Sequence, residues 1–343
     1  MALLWIEGFE GFGTTIGNAP SPTGIIGRKY PVINRESEMK IQNGRNGFCL
    51  AIYYAIGAES YIQSPDLTTD NTLVFGAAIK ILSTPSVLPS KLMMFYDGTS
   101  LAVNIRVNTN GTLSVYLDNV LLGTSALALS SNTWYYLELK VLTHASAGTV
   151  DLVINTDNWL SLSGIDTQIG SHAYATAFRL GSSNVTTLYD DLYLLDSSGS
   201  INNDFLGIRK VSAIRPNAAG DSTQWIPDSG TNYDRINEME LDEDTSYVET
   251  GTTTNKDLYN YDPAINMTSI DGIQIITEVK ATSGSMELQN ITKSGSTENA
   301  QSCGTIISTD YVTCSSISEV NPDTSNPYTP AEIDAAQFGI KAI

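Results

Sequence analysis

Histidine and cysteine are nearly missing from this 343-residue sequence, which has only His144 and His172 of the first and Cys49, Cys303 and Cys314 of the second. The cysteine spacing matches no metal site and no disulfide framework. Both histidines stand in polar, loop-like surroundings, Leu-Thr-His-Ala-Ser and Gly-Ser-His-Ala-Tyr. Neither belongs to a Gly-x-Ser-x-Gly or His-Glu-x-x-His motif, so both are expected as surface loop residues. No Gly-rich phosphate loop follows a strand. Basic residues are also few, 18 against 37 acidic ones, for a net charge of −19. Without a cluster of Lys or Arg, nucleic acid and anionic membrane surfaces are excluded as partners. No apolar run approaches the length of a membrane span, so membrane insertion is excluded too. The opening Met1-Ala-Leu-Leu-Trp-Ile-Glu7 lacks a basic flank and meets Glu7 and Glu10 too early for a signal-peptide core. Heptads, collagen triplets and β-helix repeats are missing, which argues against a long fibre shaft.

What is present is a vocabulary of strands and turns. Thr, Tyr, Ile and Val suit a pleated, half-buried surface, whereas Gly and Asn suit the positive-φ positions of tight reversals. Strand-length runs cover Thr72 to Leu82, Lys91 to Tyr96, Leu101 to Val107, Leu113 to Leu117, Thr133 to Leu142, Thr149 to Ile154, Ala177 to Leu180 and Thr187 to Leu195. Turn signals separate them, among them Asn108-Thr-Asn-Gly111, where Asn-Gly is expected to take two positive-φ positions. This spacing predicts an all-β antiparallel sandwich or barrel. Asp196 to Asp204 is polar and lacks apolar alternation, so the domain boundary is placed there, giving domains 1–200 and 201–343. The second holds most of the excess acid. It reads as loop from Asp221 to Asp271, followed by strands over Gly272 to Thr282, Ser285 to Thr292, Thr309 to Ser316 and Gln337 to Ile343. Thr329-Pro-Ala-Glu332 predicts one short capped helix, which makes the second domain a smaller β-sandwich with a brief helix.

Catalysis needs a positioned base, nucleophile or metal, and carboxylates are the main candidates. A glycosidase on a sandwich would place acids at alternate strand positions, as in Glu-x-Asp-x-x-Glu. That pattern is absent: Asp190 and Asp191 are adjacent and should point to opposite faces, and Asp242-Glu-Asp244 falls in an acidic loop. The expectation is therefore of a protein that is not an enzyme. Asp190 and Asp191, with Glu7 or Glu10, could offer oxygens to a structural Ca²⁺. No Asp-x-Asp-x-Asp-Gly loop supports this, so no metal or other cofactor is assigned. Tyrosines 53, 54, 61, 135, 136, 189 and 193 could line a sheet surface, and exposed aromatic rings stack on sugars. Core packing is the plainer reading. Tyr189 and Tyr193 are the residues singled out as glycan contacts. Cys49 is expected as a small core residue. Cys303 and Cys314 flank a hairpin and are either bridged or, in a protein assembled in cytoplasm, reduced.

The order Asn132-Thr-Trp-Tyr, Gly148-Thr-Val-Asp-Leu-Val-Ile-Asn155, Phe178-Arg-Leu-Gly181 and Tyr189-Asp-Asp-Leu-Tyr193, opened by Glu7-Gly-Phe-Glu-Gly-Phe12, resembles a concanavalin-A-like or laminin-G-like jelly roll. Its continuation includes Ile214-Arg-Pro-Asn-Ala-Ala-Gly-Asp221, Asp244-Thr-Ser-Tyr-Val-Glu249, Lys256-Asp-Leu-Tyr259 and Tyr328 to Lys341. This resembles the second half of a family of tailed-bacteriophage virion structural proteins. The resemblance implies localisation in the virion and a non-catalytic structural role on the particle exterior, as capsid decoration or a short tail appendage. It implies other virion proteins, of capsid or tail, as partners, and a homo-oligomer. The alternative is a receptor-binding protein that recognises host surface glycan.

Overall fold

The computed structural model describes residues 2–13, 25–54, 58–67, 70–238 and 241–343. It divides the chain into two compact units, Met1–Ser212 and Ala213–Ile343. In the first unit the strands are Leu3–Glu7 (β1), Val32–Asn34 (β2), Met39–Asn43 (β3), Phe48–Ile52 (β4) and Ser60–Gln63 (β5). Next come Thr72–Ile81 (β6), Ser90–Asp97 (β7), Ser100–Val107 (β8), Thr112–Leu117 (β9) and Val120–Ala128 (β10). The last are Tyr135–Leu142 (β11), Gly148–Ile154 (β12), Asp157–Ile165 (β13), Ala177–Ser182 (β14) and Thr187–Asp196 (β15). A single helical turn, Ile25–Lys29 (α1), lies between β1 and β2.

These strands form two stacked antiparallel sheets. One has eight strands, ordered β13-β12-β11-β6-β15-β4-β3, with β1 added beside β15; the other has seven, ordered β10-β9-β8-β7-β14-β5-β2. First and last strands thus pair, and the architecture is the expected jelly-roll sandwich. Alternation explains the packing. Phe75, Ala77 and Ile79 of β6 and Leu137 and Leu139 of β11 join Phe95 of β7, Ile105 of β8 and Phe178 of β14 in one core. Each large side chain so buried contributes about 1.5–3 kcal/mol. Every residue of β15 is buried, because covering chain lies on both of its faces.

The Asn108–Gly111 reversal joins β8 to β9, but only Gly111 has positive φ, at 84°. Gly111 N donates to Asn108 O at 2.9 Å and Asn108 N to Thr112 O at 2.8 Å, so the loop closes with a left-handed glycine rather than two such residues. Residues 201–212 belong to the first unit, since they hydrogen-bond to its eight-stranded sheet.

The second unit contains Pro216–Thr223 (β16), Ile226–Pro227 (β17), Val248–Glu249 (β18), Lys256–Tyr261 (β19) and Ile273–Val279 (β20). Met286–Ser294 (β21), Thr297–Ile306 (β22), Val312–Ser318 (β23), the helix Pro330–Ala335 (α2) and Gln337–Ala342 (β24) complete it. A five-stranded sheet, β16-β19-β24-β21-β22, packs with the ribbon β20-β23 around Val279, Leu288, Ile306 and Ile340. The 221–271 stretch expected as loop therefore supplies an interior strand, β19. Buried Asp257 holds it by accepting from the backbone N–H groups of Gln224 (2.5 Å) and Trp225 (2.8 Å) and from Tyr259 Oη (2.7 Å). Helix α2 starts with the expected capping box between Thr329 and Glu332. Cys303 and Cys314 form a disulfide that ties β22 to β23.

Candidate functional site

Tyr189 and Tyr193, the tyrosines expected to meet a sugar, are 1 % and 3 % exposed. A bulge separates them: the register slips between Asp190 and Tyr193, and Asp191 takes φ 51°. Residues four apart in an unbroken strand share a face, but the extra residue sends these two to opposite faces. Tyr189 points into the sandwich, its hydroxyl 2.8 Å from Leu92 O and 2.6 Å from Gly181 O. Tyr193 points outward but is covered: its hydroxyl donates to Glu138 Oε1 and accepts from Leu206 N at 3.2 Å. Neither presents a ring face to a ligand, which corrects the expectation for both.

The same bulge changes the reading of Asp190 and Asp191. Instead of diverging, both serve the loop at Arg45 and Asn46. Asp190 Oδ2 accepts from Arg45 N at 2.7 Å and Asn46 N at 3.3 Å. Asp191 Oδ2 accepts from Arg45 Nη1 at 2.7 Å and Asn46 Nδ2 at 2.9 Å, and its Oδ1 from Val211 N at 2.8 Å. Glu7 is committed to Lys29, Nζ to Oε2 2.8 Å. With these oxygens on protein donors, no group of three or more His, Cys, Asp or Glu among the described residues could hold a metal ion. Burial, reinforced by Asp191, raises the Asp190 carboxyl to about 7. His144 caps a turn, Nδ1 accepting from Ser146 N and Ala147 N, while His172 lies 2.5 Å from Asp97 through Nδ1.

The other sheet carries a different surface. Ile62, Leu180, Phe178, Phe95, Ile105 and Val115 of the seven-stranded sheet face the core. The alternate residues therefore face away from it. Register aligns five of these in one row across the strands: Gln63 on β5, Arg179 on β14, Met94 on β7, Asn104 on β8 and Tyr116 on β9. At the ordinary strand spacing of ~4.8 Å the row runs roughly 19 Å. Tyr61, Tyr96 and Arg106 flank it diagonally.

Two arginines on this face, Arg179 in the row and Arg106 beside it, are held against aromatic rings. The Arg179 guanidinium carbon lies 4.1 Å from the Tyr61 ring centroid and 3.7 Å from that of Tyr96, and its Nε donates to Gln63 Oε1 at 2.6 Å. Arg106 lies 4.1 Å over Tyr116, and its Nε donates to Asn104 Oδ1 at 2.8 Å. Nearby, Lys91 pairs with Glu59 at 2.9 Å. Burial raises the Tyr96 hydroxyl and the adjacent Arg179 pulls it part of the way back, while burial lowers Arg106 from its usual value. Of this face Tyr61, Gln63, Arg179, Arg106 and Tyr116 are half-buried, with Glu59 as a carboxylate among them, whereas Met94, Asn104 and Tyr96 are buried. Of these residues only Tyr61 was named from sequence. The available signal was a basic residue in the outward phase of an apolar strand, as in Ala177-Phe-Arg-Leu180.

No protein-family model matches the chain, and no curated protein does. Solved structures do. An endo-β-1,4-glucuronan lyase from the fungus Trichoderma reesei is 10 % identical, over 48 % of this chain and 90 % of that one, with a TM-score of 0.38. The alginate lyase Aly36B is 12 % identical over 56 % of this chain and 96 % of that one, with a TM-score of 0.38. A sialidase is 6 % identical over 56 % of this chain and 18 % of that one, with a TM-score of 0.42. These likenesses concern the fold. They do overturn the expectation that the protein is not an enzyme, which rested on the absence of a local histidine, nucleophile or acid-pair motif, since these proteins of similar fold are lyases and a sialidase. The physical reason is that a local motif carries no information on which groups strand pairing brings together.

Proposed function

We propose that the protein is a component of the exterior of a tailed-bacteriophage particle and that it engages glycan through the outward face of its seven-stranded sheet. The observation that carries the glycan part is the half-buried set of Tyr61, Gln63, Arg179, Arg106 and Tyr116 on β5, β14, β8 and β9, in which each guanidinium lies against a tyrosine ring. Cation-braced aromatic rings on a stiff sheet suit a sugar polymer, because they pair polar donors with flat apolar surface at little cost in side-chain entropy. The virion part is supported by the resemblance that runs from Ile214 to Lys341.

Two measurements test the two parts separately. Immunogold electron microscopy of purified particles is expected to label the exterior; label confined to lysate ends the virion reading. Free protein is expected to compete with particles for adsorption to host cells and to bind on a glycan array. Failure in both ends the glycan reading. Following the array glycans for released or unsaturated products tells whether engagement is followed by bond cleavage.

A further inference from the structure

We infer that the protein associates with a second copy of itself, as a two-fold dimer, through the lateral edge of the sandwich formed by β10 and β13. This contact is separate from the glycan face and does not rest on it.

Three observations carry it. The first is exposed apolar surface on a free edge. β10 ends the seven-stranded sheet and pairs only with β9, and β13 ends the eight-stranded sheet and pairs only with β12. The two lie against each other, with the side chains of Leu160 and Leu162 closing on Gly123, so they form one continuous edge. On it Val120, Leu121 and Leu127 are 66 %, 54 % and 54 % exposed, beside half-buried Trp159 and Leu160.

The second observation is the absence of charge. Edge strands are ordinarily guarded by lysine, proline or other charged side chains. No Asp, Glu, Lys, Arg or Pro occurs over 119–137 or 158–165. Bulges interrupt the pairing of β10 with β9, so side chains rather than an extended backbone ladder carry the contact. The missing charge also identifies the partner. In a two-fold contact a patch meets itself, and every charge near the axis would face its like. Two copies at net charge −19 repel each other, and they come together only through a surface free of charge. A different protein would recognise so acidic a chain by setting basic groups against its acids, and this edge offers no acid to meet them.

The third is size. Each strand has nine residues, for a length of roughly 30 Å. Two sheets ~10 Å apart with their outward side chains make the edge roughly 20 Å wide. That is about 600 Å² per copy and about 1,200 Å² in the dimer, above the roughly 1,000 Å² that marks a specific interface.

Sedimentation velocity of the full chain over a range of concentrations tests this. A monomer–dimer equilibrium is expected, and it should strengthen as sodium chloride rises, because salt screens the repulsion between two acidic copies and leaves an apolar contact intact. Leu121→Lys and Leu127→Lys each bring two like charges into the contact, and each is expected to weaken the dimer about tenfold or more. Val87→Lys, at a 78 % exposed position between β6 and β7, is expected to leave it unchanged. Melting curves establish that each variant is folded. Should a lysine variant fail to fold, hydrogen exchange on the unaltered chain takes its place, with amides of 120–128 and 158–165 expected to exchange more slowly as concentration rises. Monomer at every concentration overturns the inference and leaves the edge to another protein. A dimer that weakens with salt, that survives both lysines, that is lost equally with Val87→Lys, or that gives this edge no added protection overturns it as well.

Discussion

Glu10 shows how far one side chain can be moved from its ordinary chemistry. Burial, with Asp190, Glu7 and Asp191 close by, raises its carboxyl from 4.5 to about 9. Its Oε1 is buried and has no hydrogen-bond partner among the described residues. The folded protein therefore holds Glu10 neutral up to about pH 9, whereas the unfolded chain ionises it above about 4.5. The unfolded state binds fewer protons across that window, so stability falls as pH rises from about 4.5 to 9. Asp190, raised to about 7, adds to the fall in the lower part of the window. Glu10→Gln cannot ionise, and it is expected to raise stability at pH 8 by on the order of 1–3 kcal/mol and to flatten the pH profile. Chemical denaturation of both proteins at several pH values between 4 and 9 checks this, and parallel profiles would contradict it. Nothing in Glu7-Gly-Phe-Glu10 reveals such a shift, because burial and the Asp190–Asp191 carboxylates, which come from the tertiary fold, add to the effect of Glu7.

At the scale of strands and loops, the close contacts lie where backbone meets ring. Gly76 of β6 sits under Tyr193 of β15, and a Cβ there would come within 2.2 Å of Tyr193 Cε1. The ring cannot easily withdraw, because its hydroxyl is engaged by Glu138 and Leu206 N, and Gly207 N donates to the same Glu138 Oε1 at 2.8 Å. Gly76→Ala is accordingly expected to cost about 2 kcal/mol or more by overpacking. It should also loosen the 204–211 segment, read as faster amide exchange at Leu206 and Gly207; unchanged stability would show that the ring moves freely. The strands themselves were legible wherever one face is apolar. β6 to β9, β11, β12, β14 and β15 fall where hydrophobic alternation and turn residues put them. β22 did not announce itself, since Thr297–Ile306 is a largely exposed edge strand whose pattern carries little apolar signal. The β15 bulge is invisible in Tyr189-Asp-Asp-Leu-Tyr193, yet it decides where both tyrosines and both aspartates point.

For the molecule as a whole, the second unit carries a covalent constraint that the first lacks among its described residues. The Cys303–Cys314 bridge spans a separation of 11 residues. Closing a loop of that size stabilises a fold by about 2–3 kcal/mol. Reducing agent is expected to lower the denaturation midpoint of the 213–343 unit, followed by the fluorescence of Trp225, and to leave the unit containing Cys49 unaffected. Cys49 is free, wholly buried and raised to about 12 by burial first, so it stays an inert thiol. Equal midpoints with and without reductant would show that the bridge contributes nothing.

The sequence by itself determined the class of fold, the capped helix at Thr329, the hairpin at Asn108–Gly111 and the shortage of basic residues, because each follows from local periodicity, turn chemistry or composition. Only the tertiary structure decided which outward residues become neighbours. Arg179, Gln63, Tyr61 and Tyr96 come from three strands separated by up to 118 positions in the chain. Their meeting depends on strand order and register, which long-range pairing sets and no local pattern encodes.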